Sequence, residues 1–348
     1  MKKNKTGFGY LLNTIVIILL FTAFQIITGI FGSQGSFKLV VVPCLWQCCY
    51  LIILAASLNL VLGFLGQLSL GHCGFMAIGA YTAALLSLAC ERAELFTKKE
   101  GAVFILILFG CIIAAGLLSA LVGLLVGVPA LRLKGDYLAI ITLGFGSKDK
   151  VAYIWVALLV TILCLTLMFM FIRSKYGRAI KAIRDDEIAA SASGINTSYY
   201  KVFTFAYSAF FAGIAGALYA CANATLSTSS FAFTNGGILN STFVVVMVVL
   251  GGMGSITGSV VAAVIMFLVN YQIKNGAWVT ALSASVQGVF EYPMLVYAIV
   301  LIVVILFRPK GIFGTYEFSL MNLRRDVKAS LARKSAERAE RKGAKSHG

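Results

Sequence analysis

Hydrophobic and polar positions fall into long alternating blocks along this chain. Apolar runs cover about residues 7–31, 39–62, 66–89, 103–127, 151–172, 202–220, 242–253, 256–269 and 292–307. A shorter apolar piece, 138–145, stops at Ser147-Lys148-Asp149-Lys150. About 20 apolar residues cross a bilayer as a helix, and a transmembrane strand needs about half that number in alternating register. The runs are continuous rather than alternating. They predict an all-α, polytopic membrane protein with about 8–10 transmembrane helices. Eight residues at 138–145 are too few for a crossing, so strain, a re-entrant piece or a gap is expected at 146–151. Charges near the bilayer centre cost at least ~2.5–3.5 kcal/mol each without shelter.

Composition narrows the class further. Of 348 residues 60% are hydrophobic and 12% charged, against about 45–50% and 25% in soluble domains. The formal net charge of +16 suggests nucleic acid in a soluble protein, but here the basic residues lie between and beyond apolar runs. With the N-terminus inside, 22 of the 29 Lys and Arg fall on cytosolic segments. Five fall outside: Lys38, Arg92, Lys98, Lys99 and Lys274. This bias places both termini in the cytosol and leaves no nucleic-acid role. The domain reading is a transmembrane domain over 1–315, containing a cytosolic loop at 172–201, and a basic tail over 316–348. That tail is read as a solvated segment, with attraction to anionic headgroups as the alternative.

Catalytic raw material is scarce. There are two histidines, His72 and His347, and eight cysteines, most within apolar runs and none in a CxxC pair. The cysteines read as small hydrophobes, no metal site is expected, and the chain is not read as an enzyme. There is no GxxxxGK[ST] loop, so any ATP belongs to a partner. Ion-coupled secondary transport needs intramembrane acids; the spans contain almost none, and Glu291 lies only at an outer edge.

Two stretches carry candidate chemistry. From Leu62 to Tyr81, five glycines accompany Gln67, Ser69 and His72. Glycines permit close helix approach or a broken helix, and polar groups in spans face the interior. The alternatives are helix packing with a satisfied histidine, or the lining of a substrate path by Gln67, Ser69 and His72. The second stretch is Ser174–Ile195. Ile180, Ile183 and Ile188 recur at roughly helical spacing, and Gly194 suits a helix end. It reads either as a short amphipathic helix displaying Arg184 and Glu187 to a soluble partner, or as a topogenic loop. Gly123-x3-Gly127 and Gly254-x3-Gly258 read as packing surfaces.

These motifs resemble those of the LivM-type permeases of branched-chain amino-acid ABC importers. The resemblance is carried by Ser57-Leu-Asn-Leu-Val-Leu-Gly63, Gln67-Leu-Ser-Leu-Gly-His72 and the Ala130–Phe145 stretch. Gly177-Arg-Ala-Ile-Lys-Ala-Ile-Arg-Asp-Asp-Glu187, Gly251–Gly258 and Arg308-Pro-Lys-Gly-Ile-Phe-Gly314 extend it. It covers about 50–315. It implies a multi-pass protein of the bacterial inner membrane that works by alternating access. The implied partners are a homologous second permease, two cytosolic ATPases that bind ATP, an extracytoplasmic substrate-binding protein and the bilayer. No cofactor is implied in this chain. A urea or short-amide permease is the alternative cargo within the family.

The resemblance also assigns residues. The 177–194 stretch is similar to the EAA-type coupling motif of ABC importers, with Ile188-Ala-Ala-Ser-Ala-Ser-Gly194 in place of Glu-Ala-Ala-x3-Gly and the acid one residue early. It implies ATPase coupling through Arg178, Arg184, Asp185, Glu187, Ala189, Ala190 and Gly194. Family members continue beyond Gly146 with a longer helix and a glycine-rich outer stretch. Here Val151 follows almost at once, implying a deletion or an omitted segment.

Overall fold

The computed structural model describes residues 42–92, 102–130, 154–223 and 241–275, with isolated positions 226, 231, 299, 301, 302, 306, 311 and 314. All belong to one compact unit, Ser33–Tyr316. The expected spans at 7–31, 138–145 and 292–307, the 146–151 junction and the 316–348 tail fall wholly or mostly outside the described residues.

The described residues form helices and connecting turns, with no strand among them. They are α1 (Val42–Asn59), continued by a π-helical turn at Leu60–Leu65, then α2 (His72–Arg92), α3 (Ala102–Ala130) and α4 (Ile154–Arg173). Two short helices follow, α5 (Lys175–Asp185) and α6 (Glu187–Ala192). The last are α7 (Thr197–Ala222), α8 (Ser241–Gly251) and α9 (Ile256–Asn275). Five are long and apolar enough to cross a membrane: Val42–Leu65, His72–Cys90, Phe104–Leu125, Ile154–Arg173 and Thr197–Ala222. The protein is an all-α, multi-pass membrane protein.

One expected span starts late, and another is short as its run predicts. The 66–89 run begins its helix at His72, because Gly66 takes a left-handed conformation (φ +78°) that ends the preceding turn. The 242–253 run gives an 11-residue helix, α8, about 16 Å long at 1.5 Å per residue. That is half of a ~30 Å hydrocarbon core.

Helix α1 is central and packs against α4, α7, α8 and α9. Its span is almost wholly buried by protein, whereas α3 is mostly uncovered. Leu106, Ile113, Leu117, Leu121 and Leu124 of α3 are exposed, the arrangement expected of a lipid-facing helix. α2, α3 and α7 pack together through small residues. A Cβ added to Gly79 or Gly216 of this group would overlap the backbone of the facing helix, at Gly213 and Met76 respectively. Gly123 sits against Ala209, as a packing position should.

Buried hydroxyls stitch the bundle. Ser119 Oγ of α3 lies between the carbonyls of Phe75 on α2 (3.0 Å) and Ala209 on α7 (2.8 Å), which share its one proton. Ser208 of α7 donates to the Ser57 carbonyl of α1 (2.6 Å). The Cys73 amide donates to Ser241 at the start of α8 (3.3 Å). In an apolar medium such bonds average about 0.6 kcal/mol and reach about 1.7, so they fix register more than they supply stability.

Candidate functional site

The 172–201 loop is ordered by its caps. Ser174 precedes α5 and accepts from the Tyr176 amide (3.2 Å). A Cβ on Gly177 would overlap the Ile172 backbone, so α5 folds tightly against the end of α4. Asp186 has an extended backbone (φ −157°) and ends α5. Its carboxylate then accepts from the amides of Ile188 (2.9 Å) and Ala189 (3.0 Å), opening α6. Negative charge at a helix start is favourable. Gly194, at φ +82°, closes α6 while the Ile195 amide returns to the Ala190 carbonyl (3.1 Å), the Schellman arrangement. Asn196 caps α7 through the Tyr199 amide (3.1 Å).

The stretch expected as one amphipathic helix is therefore two, bent at Asp186. The bend separates the isoleucines. Ile180 and Ile183 are buried, whereas Ile188 is 83% exposed. Ile188 does not continue the buried face, because the Asp186 cap turns α6 away from the axis of α5.

Arg184 was expected to be displayed. It is exposed, and its guanidinium also reaches the bundle, where Nη1 donates to the Gly63 carbonyl at 2.8 Å, while Nη2 bonds Asp185 at 3.3 Å. Gly63 lies in the π-helical turn, near the helix end where carbonyls lack partners along the chain. A cation there satisfies an orphan acceptor and the negative end of the helix. Glycine shapes this notch. A Cβ on Gly66 would stand 2.8 Å from Arg184 Cγ, and one on Gly254 3.1 Å from Nη1. Gly254 also has positive φ (+90°).

The notch has a second partner that the sequence reading did not single out. Asn59, fully buried at the end of α1, donates through Nδ2 to the Ser255 carbonyl (2.7 Å) and to Ser259 Oγ (2.8 Å). Its Oδ1 accepts from the Gly254 amide (3.0 Å). The α8–α9 turn, Gly252–Ser255, is thus bound to the end of α1. Gly252 (φ +118°) packs in turn against Gly311 and Gly314, so three motifs distant in sequence meet here. The available signal was a lone amide in an otherwise apolar span.

The remaining assigned residues scatter around this core. Arg178, Asp185, Glu187 and Ala189 are exposed, and Ala190 is buried. Glu187 pairs with Lys201 of α7 at 2.5 Å. Gln67 is half-buried beside the left-handed Gly66, its amide donating to the Val61 carbonyl (3.0 Å). Ser69 is buried. His72, also buried, lies 2.7 Å through Nε2 from Ser57 Oγ. Ser57 Oγ also lies 2.9 Å from the Leu54 carbonyl, so the hydroxyl is shared between the helix backbone and the imidazole. No hydrogen bond joins Gln67, Ser69 and His72 to one another among the described residues. No cluster of three His, Cys, Asp or Glu able to hold a metal occurs among them either.

The fold is that of a multi-pass membrane protein, with a capped two-helix element tied to the end of its central helix by an arginine. The chain belongs to the family described as branched-chain amino acid transport system / permease component, whose model matches residues 40–148 and 144–305. The two segments meet beside the 146–151 junction. The chain is 32% identical over 335 residues to the LivM permease protein of the high-affinity branched-chain amino acid transport system of Salmonella typhimurium, covering 80% of this chain and 70% of that one. It is 33% identical over 316 residues to the corresponding Escherichia coli protein, covering 75% and 67%. It is also 31% identical over 170 residues to the E. coli LivH permease protein, covering 48% of each chain. No solved structure matches.

Proposed function

We propose that this chain is the permease subunit of an ABC importer for branched-chain amino acids. Family membership across the whole described bundle carries the reading. It works as one of two homologous permeases, a pairing supported by its similarity to both LivM and LivH proteins. Two cytosolic ATPases bind ATP and supply the energy, and an extracytoplasmic binding protein delivers cargo. The protein resides in a bacterial inner membrane with both termini in the cytosol, in keeping with the distribution of Lys and Arg. No cofactor belongs to this chain, and nucleic acid is not a partner.

The helices α5 and α6 face the cytosol and receive the ATPases. Ile188 gives that surface an apolar contact, ringed by charge. ATP favours one of two permease conformations, and its differential affinity for them drives the switch. Gln67, Ser69 and His72 line the substrate path. Leucine, isoleucine and valine share an aliphatic side chain and a zwitterion, so apolar walls with a few polar groups suffice for passage.

The test is uptake of labelled leucine and labelled urea into vesicles carrying the chain with its second permease, ATPases and binding protein, with and without ATP. ATP-dependent leucine uptake is the expected result. Urea uptake alone overturns the cargo. ATP-independent uptake that collapses with the proton gradient overturns the ABC assignment.

A further inference from the structure

We propose that Arg184 and Asn59 act as paired positioning residues, Arg184 tying α5 to the Gly63 carbonyl and Asn59 passing that tie to the α8–α9 turn. The inference rests on the permease reading above and deepens it. It makes Arg184 an internal tether, not a residue that grips the ATPase.

Three observations converge on the Gly63–Gly254 notch. The first is direction. Arg184 sits in the last turn of a helix whose apolar side is already buried, and it bonds Gly63, 121 residues away in sequence. The second is proximity. A Cβ at Gly63 would overlap both Asn59 Oδ1 and the Gly254 amide nitrogen, so the end of α1 and the α8–α9 turn are in backbone contact. Arg184 lies against both. The third is the state of the element that is held. Residues 60–65 are π-helical, a geometry that occurs mostly as single turns and often at functional sites. A π turn carries one residue more than an α turn of the same rise. Passing between the two rotates every following side chain about the axis. The guanidinium is bonded to a carbonyl inside that turn. A displacement of α5 acts on that carbonyl first. Asn59, immediately before the π turn, holds Gly254, Ser255 and Ser259, so α9 is engaged in the same step.

A docking role and a tethering role predict different losses. Reconstituted complexes are to be compared for ATPase co-purification, ATP hydrolysis and leucine imported per ATP. For Arg184→Ala the expected result is normal ATPase co-purification with leucine per ATP reduced at least about fivefold, the lower edge of typical coupling between sites. Arg184→Lys, which keeps a cation able to reach the carbonyl, restores at least half. Asn59→Ala gives the same loss, and the double variant is no worse than either single one, because the two act in series. Ile188→Asp behaves oppositely, with ATPase co-purification lost. Loss of co-purification in Arg184→Ala, or unchanged leucine per ATP, overturns the proposal.

Amide hydrogen exchange on the full chain in detergent reads the tether without transport. Arg184→Ala is expected to speed exchange at Gly66 and Gln67, whose amides close the π turn on Val61. Unchanged exchange there overturns the tether even if the complex imports leucine. Faster exchange in a chain that imports none overturns the permease reading alone.

Discussion

Replacing Gly79 by Ala adds one methyl group where α2 crosses α7. The Cβ would overlap the Gly213 carbonyl region, which is backbone and has no rotamer to yield. The helices must separate locally, and overpacking of this kind costs about 1–3 kcal/mol. Separation also stretches the hydrogen bond that Ser119 shares between Phe75 and Ala209, worth about 0.6 kcal/mol. Against this, Ala is the better helix former by up to about 1 kcal/mol. The net expectation is a loss of roughly 1–3 kcal/mol. Gly110→Ala is the matched control, since a Cβ there meets nothing within 4 Å and only the propensity gain remains. Thermal unfolding in detergent, followed by a thiol-reactive dye that reports exposure of the buried Cys73 and Cys164, compares the two. A lower midpoint for Gly79→Ala and an unchanged or higher one for Gly110→Ala is the expected pair. Equal midpoints would refute the close α2–α7 approach.

Three further outcomes are expected. Ile188→Cys should be alkylated by a membrane-impermeant maleimide in inverted vesicles and not in right-side-out ones; the reverse would overturn the orientation. Glu187→Lys faces Lys201 and should weaken the α6–α7 contact by at most about 1 kcal/mol, as exposed pairs do, while transport falls. Glu187→Lys with Lys201→Glu should restore the contact, seen as recovered resistance of the 185–200 segment to limited proteolysis. His72→Ala leaves Ser57 its bond to Leu54. Loss of leucine uptake with an unchanged melting midpoint is the outcome that a path-lining histidine predicts, and a lowered midpoint with normal uptake per folded protein would make His72 purely structural.

Much of the architecture was legible because the apolar runs are long and the polar breaks sharp. α4 and α7 begin and end within five residues of the expected runs. What escaped depends on single backbone conformations and long-range pairs. The fate of Ile188 turned on Asp186 acting as terminator and cap together, and helical spacing alone carries no trace of such a bend. Arg184 was recognised by motif, but its direction depends on Gly63, far away in sequence. Asn59 lay inside a quoted motif and was passed over, since one amide among leucines has no periodicity of its own. The shortness of α8 was legible too: its run, 242–253, holds twelve residues, and the helix, Ser241–Gly251, starts one residue before it.

That short helix bears on how the protein is made. Segments enter a bilayer from the translocation channel one by one, admitted on length and apolarity, and 11 residues fall well short of an independent stop. α8 therefore cannot secure its own place during synthesis. Its seat is built by α1 and by the turn to α9 at Gly252–Ser255, which Asn59 clamps. A late step in maturation is accordingly expected, in which a half-length helix settles among finished neighbours. Until that step is complete, a newly inserted chain presents quality-control proteases with an unseated segment, and lesions around Asn59 are expected to lower the amount of subunit in the membrane as well as its activity.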